Sequence, residues 1–304
     1  MLNFLETAMA ALAAGLTSIV FFKVEFFGVG VPLIVLWLVM GAVFCTVYFN
    51  FINIRGFATA MKLLTQKPKY KEGTVGEITH FQALTTAVSG TVGIGNIAGV
   101  AVAISLGGAG AAFWLAVAGF LGMSTKFCEC TLSTLYRKNH ADESVAGGPM
   151  FYLQEGLARI GRPKLGKAMA KFYALCMVIG CFGIGNMFQS NQAAVILTSQ
   201  LGEANFAYSN ILVGLILAVT IGLVIIGGLK SIASVTSRLV PMMLVVYLVL
   251  VIIVLSLNYS LVDDAFVLIF SEAFTANGVS GGVIGAMIIG FQRAVFSNEA
   301  GLGS

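Results

Sequence analysis

Residues 89–96 read Ser-Gly-Thr-Val-Gly-Ile-Gly-Asn, inside an apolar run from Phe81 to about Ser105. Three glycines in six residues weaken a helix, each costing about 1 kcal/mol relative to Ala. The run is long enough to cross a bilayer, where a backbone break survives only if it lines a protein-buried cavity. Such a break frees backbone groups for chemistry. The amides near Ile94, Gly95 and Asn96, opening a second half-helix, can receive a carboxylate, aided by the positive helix end. The carbonyls from Ser89 to Val92 can take an ammonium group or a sodium ion, and the Thr91 hydroxyl adds an uncharged oxygen ligand. The pair of half-sites suits a small zwitterion. Close helix packing through small residues is the other reading of the glycines.

A second stretch repeats the pattern. Glu299-Ala-Gly-Leu-Gly-Ser304 shares Gly-aliphatic-Gly-polar with Thr91–Asn96, and both lie inside hydrophobic segments. Paired interruptions at corresponding places in two halves point to a transporter binding site. Gly183-Ile-Gly-Asn186 is a third copy of the tetrapeptide, in a segment that need not be broken.

Polar side chains within apolar segments are the remaining candidates. Gln82 precedes the first break by two to three turns, and Phe188-Gln189-Ser190-Asn191-Gln192 sets four polar residues in one span. Intramembrane polar groups face a cavity or a partner helix; interhelical hydrogen bonding accounts best for Asn191 and Gln192. Lys126 and Glu129, three apart, suit a mutual structural or gating pair. Arg293 and Glu299 flank the second break and could contact a ligand or steady each other.

Other chemistries fail on context. Gly93-x-Gly95-x-x-Ala98 mimics a dinucleotide fingerprint, but it sits in a membrane span rather than a soluble strand–helix unit. His80 and His140 are the only histidines, and no Ser/His/Asp set forms. The five cysteines read as small buried residues, with neither a disulfide framework nor a metal set. No enzyme and no organic cofactor is expected.

These residues must be positioned by membrane helices. The chain is 58% hydrophobic and 10% charged, with mean hydropathy +0.96, whereas soluble proteins carry about 25% charge. Its +4 net charge lies in loops and does not signal nucleic acid. Residues 1–30 suggest an uncleaved lead-in helix to Phe22, since a secretory signal would want early positive charge. Spans are expected at about 31–54, 80–105, 111–136, 172–200, 209–228 and 239–257. A last one starts near Gly281, and a short amphipathic helix near 147–159. The stretch 258–279 is expected as an acidic extracellular connection. Loops 55–79 and 137–171 hold five and seven Lys or Arg, whereas 106–110, 201–208 and 258–279 hold none. The positive-inside rule makes the first group cytoplasmic. A helix ending at its own break reads as an incomplete chain.

The chain resembles the alanine/glycine:cation symporters, sodium-coupled carriers of small amino acids in bacteria and archaea. The resemblance rests on Phe81–Ala87, Thr91–Ala101, Gly122–Phe127, Gly147–Met150 and Phe296–Ser304. It covers residue 31 onward. It implies an all-α polytopic membrane protein with an incomplete five-plus-five inverted repeat, like the bacterial leucine transporter. Residues 31–79 would then form an extra first helix and its loop, 80–257 the first repeat, and 280–304 the opening of the second. It also implies that substrate carboxylate meets the Ile94 and Gly95 amides. Na⁺, the coupling ion, would meet the Ser89 and Val92 carbonyls. Gln82, Thr91, Gly93, Asn96, Phe188, Gln189, Ser297 and Asn298 would line the pocket. The expected function is Na⁺-coupled symport of alanine or glycine by alternating access in the cell membrane. A non-transporting membrane subunit or a channel is the alternative, although a channel favours a continuous polar stripe.

Overall fold

A computed structural model describes residues 20–26, 29–65, 78–139, 145–181, 187–201, 209–275 and 282–303, with a few residues before 20. Strands β1 (Lys23–Phe26) and β2 (Val29–Pro32) pair antiparallel, with Lys23 opposite Pro32. This hairpin stands between the expected lead-in helix and the first span. Val24, Val29 and Val31 favour it, as β-branched residues fit a pleated surface.

Helix α1 (Leu33–Tyr48) follows. It stops about six residues short of the expected end, because Asn50 and Phe51 take left-handed conformations (φ 50° and 53°). The chain bends there by 60° into α2 (Ile52–Arg55) and α3 (Phe57–Thr65). The broken span forms α4 (His80–Thr91) and α5 (Ile94–Gly107), and the next span forms α6 (Gly110–Leu135). Two-residue strands β3 (Lys138–Asn139) and β4 (Val145–Ala146) lead to the amphipathic α7 (Pro149–Arg159).

Helix α8 (Pro163–Gly180) begins nine residues before the span expected at 172. Lys164, Lys167 and Lys171 make this turn look like loop, but long basic side chains can leave a helix toward water. Helices α9 (Phe188–Leu201) and α10 (Ser209–Ile225) come next. Helix α11 (Gly228–Leu257) starts eleven residues earlier than expected and holds Pro241 in its interior. The stretch expected as a connection instead contains a helical turn at Tyr259–Leu261 and α12 (Val262–Phe274). Asp263 and Asp264 lie in its first turn, where they complement the helix dipole. Helix α13 (Gly282–Asn298) is the last.

The chain forms two compact units. One contains residues 1–56, 95–128 and 258–302; the other contains 57–94, 129–257 and 303–304. In the first, Val35, Ala118, Phe291 and Ala294 form a buried core flanked by Trp114, Leu115 and Met287. Helices α6 and α13 approach closely at Gly290, where a Cβ would lie 2.7 Å from the Ala111 carbonyl oxygen. The end of α12 is fixed to the start of α6. The Ala109 N–H donates to Glu272 Oε2 at 2.7 Å, and Trp114 Nε1 donates to the Ala273 carbonyl at 3.0 Å. Glu272 thus satisfies the N–H just before α6, while the Ala111 and Ala112 N–H groups bond to the Gly108 and Ala109 carbonyls.

In the second unit α7 packs along α8, α4 along α11, and α9, α10 and α11 pack in succession. The Thr86 and Thr236 hydroxyls, 3.2 Å apart, link α4 to α11. Among the described residues, 80–107, 110–135 and 228–257 are long and apolar enough to cross a membrane, and the bent pair at 33–65 adds a fourth if it forms one span. Ile211–Ile225 is apolar but shorter. Exposed apolar side chains run along α11 from Met242 to Leu257. Such a surface is stable against lipid and costly in water. The protein is an integral, mostly helical membrane protein.

Candidate functional site

The first half of the broken span is fixed at its start. The Gln82 N–H donates to Thr79 Oγ1 at 3.2 Å, and the Thr79 N–H donates to Gln82 Oε1 at 3.0 Å. This reciprocal capping box satisfies two helix-end donors. The Gln82 carbonyl oxygen is therefore engaged at the mouth of α4, three turns from the break.

Helix α4 has 12 residues and α5 has 14, so the interruption at Val92–Gly93 falls near the middle of the span. The Val92 N–H still bonds to the Val88 carbonyl at 2.7 Å, but Val92 itself is extended (φ −91°, ψ 103°). Helical pairing cannot continue through an extended residue, so this places a C-terminal helix end and an N-terminal one within a few residues. The first end is negative and the second positive. The hydroxyls turn inward: Ser89 Oγ donates to the Thr86 carbonyl at 2.7 Å, and Thr91 Oγ1 to that of Ala87 at 3.2 Å. A hydroxyl whose proton is engaged on its own helix keeps lone pairs that can face a cation.

The glycines at the break touch other candidate residues. A Cβ on Gly93 would lie 3.7 Å from both amide atoms of Gln189, within the second unit. Within the first unit, a Cβ on Gly95 would lie 3.5 Å from Ser297 Cα and from the Phe296 ring. Gly93 is thus brought to Gln189, and Gly95 to Ser297. Ser297 is buried and Asn96 half-buried. Phe188 opens α9 and Ile94 opens α5. Asn191 is exposed and accepts from Gln192 Nε2 at 3.5 Å, the limit of a hydrogen bond.

The second Gly-aliphatic-Gly-polar stretch follows a helix end. Helix α13 ends at Asn298, after which Glu299, Gly301 and Gly303 have φ of 53°, 94° and 77°. Asn298 Oδ1 accepts from the Ala300 N–H at 2.9 Å and so holds the first residue of the turn. Asn298 also lines a cavity of about 20 Å³ with Leu38, Gly122 and Thr125. Thr125 Oγ1 is buried there without a hydrogen-bond partner, and the volume suits one water. The third tetrapeptide copy, 183–186, lies outside the described residues.

The sequence suggests Lys126 as the partner of Glu129; the fold brings Glu129 Oε1 to the Gly303 N–H at 3.0 Å. Tyr173 was not a candidate, yet its hydroxyl donates to the Gly303 carbonyl at 3.1 Å. No local pattern marks a contact 130 residues away. Among the described residues no group of three His, Cys, Asp or Glu could hold a metal ion.

The sodium/alanine symporter AgcS of Methanococcus maripaludis is 42% identical over 274 residues, covering 90% of this chain and 58% of that protein. The amino-acid carrier protein AlsT of Bacillus subtilis is 34% identical over 262 residues, 86% of this chain and 53% of its own length. A further Bacillus subtilis relative, named "Probable sodium/glutamine symporter GlnT", is 31% identical over 273 residues, 90% and 54% respectively. The chain thus spans a little over half the length of these relatives. Residues 16–304 match the sodium:alanine symporter family, a family of transporters and not enzymes. The chain belongs to the sodium:alanine symporter family.

Proposed function

We propose that the protein carries a small neutral amino acid, alanine or glycine, across the cell membrane together with Na⁺. The observation that carries this reading is the mid-span interruption at Val92–Gly93, with Gly93 beside Gln189 and Gly95 beside Ser297. The substrate carboxylate meets the Ile94 and Gly95 amides at the positive start of α5. Na⁺ meets the carbonyls of Ser89 and Val92, with Thr91 at hand. Asn96, Phe188, Gln189, Ser297 and Asn298 complete the lining, and Gln82 steadies the entry to α4. Family membership and the similarity to AgcS and AlsT support cation-coupled amino-acid symport.

Transport proceeds by alternating access, in which Na⁺ favours the state that also binds substrate. Residues 80–257 act as a first repeat and 280 onward as the start of an inverted second. The basic loops at 55–79 and 137–171 face the cytoplasm of a bacterial or archaeal cell. Titration calorimetry of the whole carrier with alanine, in NaCl and then in choline chloride, tests the coupling. Binding in both salts with equal affinity overturns it. Glycine and glutamine in the same cell rank the substrates.

A further inference from the structure

The geometry points to Glu129 and Tyr173 as a pair of positioning residues that clamp the backbone of Gly303 at the second interruption. The inference rests on the reading of the interruptions as the substrate and ion site. All three residues belong to the second compact unit.

Three elements converge on this one residue. From α6, Glu129 Oε1 accepts the Gly303 N–H at 3.0 Å. From α8, the Tyr173 hydroxyl donates to the Gly303 carbonyl at 3.1 Å. At the start of α7, Pro149 closes the remaining side: a Cβ on Gly303 would fall 2.5 Å from Pro149 Cγ and 3.0 Å from the Tyr173 oxygen. With φ at 77°, Gly303 occupies a left-handed region open to glycine and strained for larger residues. Its amide and its carbonyl are both engaged by side chains, so rotation about either peptide breaks a hydrogen bond. The sequence permits this conformation by omitting a side chain.

The choice of a carboxylate has a physical reason. An ionisable group within a membrane segment is costly and is retained where it serves function. As an acceptor for a backbone N–H, an ionised carboxylate is about twice as strong as a neutral oxygen. A backbone that must offer its groups to a ligand gains affinity when it is already held in shape. Glu129 and Tyr173 touch neither substrate nor ion in this account; they act through Gly303.

The experiment compares Glu129→Ala, Glu129→Gln and Tyr173→Phe in the whole carrier. Amide hydrogen exchange is followed in the peptide covering Glu299–Ser304, without amino acid or Na⁺. Glu129→Ala should speed exchange there roughly tenfold or more, the equivalent of one lost charge-assisted hydrogen bond. Glu129→Gln, which keeps an oxygen acceptor, should restore most of the protection. Tyr173→Phe should give an intermediate gain, and it keeps the test open if Glu129→Ala does not assemble. Alanine affinity should weaken in the same order, with thermal melting little changed. Wild-type exchange in both Glu129→Ala and Tyr173→Phe, or equal loss in the Gln and Ala variants, overturns the clamp. Altered exchange in a protein that binds no amino acid even as wild type would support the clamp and fault the transport reading.

Discussion

Gly95 has room for a Cβ at ordinary contact distance but faces Ser297 and the Phe296 ring, so a bulky side chain must displace them. A Cβ there would already touch Ser297 Cα and the Phe296 ring at 3.5 Å, so a leucine would fill the approach to the Ile94 and Gly95 amides. Gly95→Leu should abolish alanine binding in calorimetry while membrane insertion, read by yield of folded carrier, stays intact. Unchanged affinity would return the glycines to packing alone. Gln189 lies beside Gly93 at ordinary contact distance, and Gln189→Ala should weaken alanine binding about tenfold, as one polar contact is lost. Gly95 and Gln189 stand out as candidates in the sequence because clustered glycines weaken a helix and an amide side chain is costly in lipid. The contacts of Glu129 and Tyr173 do not. Each depends on Gly303, 174 and 130 residues away, and periodicity reports only near neighbours.

At the scale of elements, helix ends do much of the positioning. Removing the Thr79 hydroxyl deletes one half of the capping box at the start of α4. Thr79→Ala should cost about 1 kcal/mol of stability, seen as a lower melting temperature in detergent, and Thr79→Ser should recover it. The amphipathic α7 is held to β3 by Lys138 Nζ, 2.9 Å from Glu155 Oε1. The hydrogen bond and charge of Lys138 hold the Glu155 carboxyl below its ordinary value of 4.5. A depressed carboxylate contributes fully above that ordinary value and loses its contribution as pH falls through the lowered one. Both groups are well exposed, so the pair is screened and weak. Glu155→Gln should leave melting at pH 7 nearly unchanged and flatten its acid slope.

Element type was largely legible, since runs of apolar residues with Gly and Pro punctuation announce membrane helices. Boundaries were less so. Helix α8 begins among lysines, and α11 runs straight through Pro241, both against local signals and both tolerated when neighbouring helices or water satisfy the ends. Helix α12 was missed because Asp263, Asp264 and Glu272 read as loop charge. They are instead a first-turn complement to a dipole and an acceptor for the N–H just before α6.

At the scale of the whole molecule, the claim is that Na⁺ drives a small amino acid through a break built from carbonyls, amides and hydroxyls. Residues 80–105 contain no carboxylate that could carry a proton, which in the proposed reading favours a cation that accepts neutral oxygens. The direct measurement is labelled-alanine uptake by the whole carrier in proteoliposomes at fixed pH, with an inward Na⁺ gradient set against choline. Uptake should require the Na⁺ gradient and persist when an ionophore collapses any proton gradient. Full uptake in choline, or its loss with the proton gradient alone, would contradict the account.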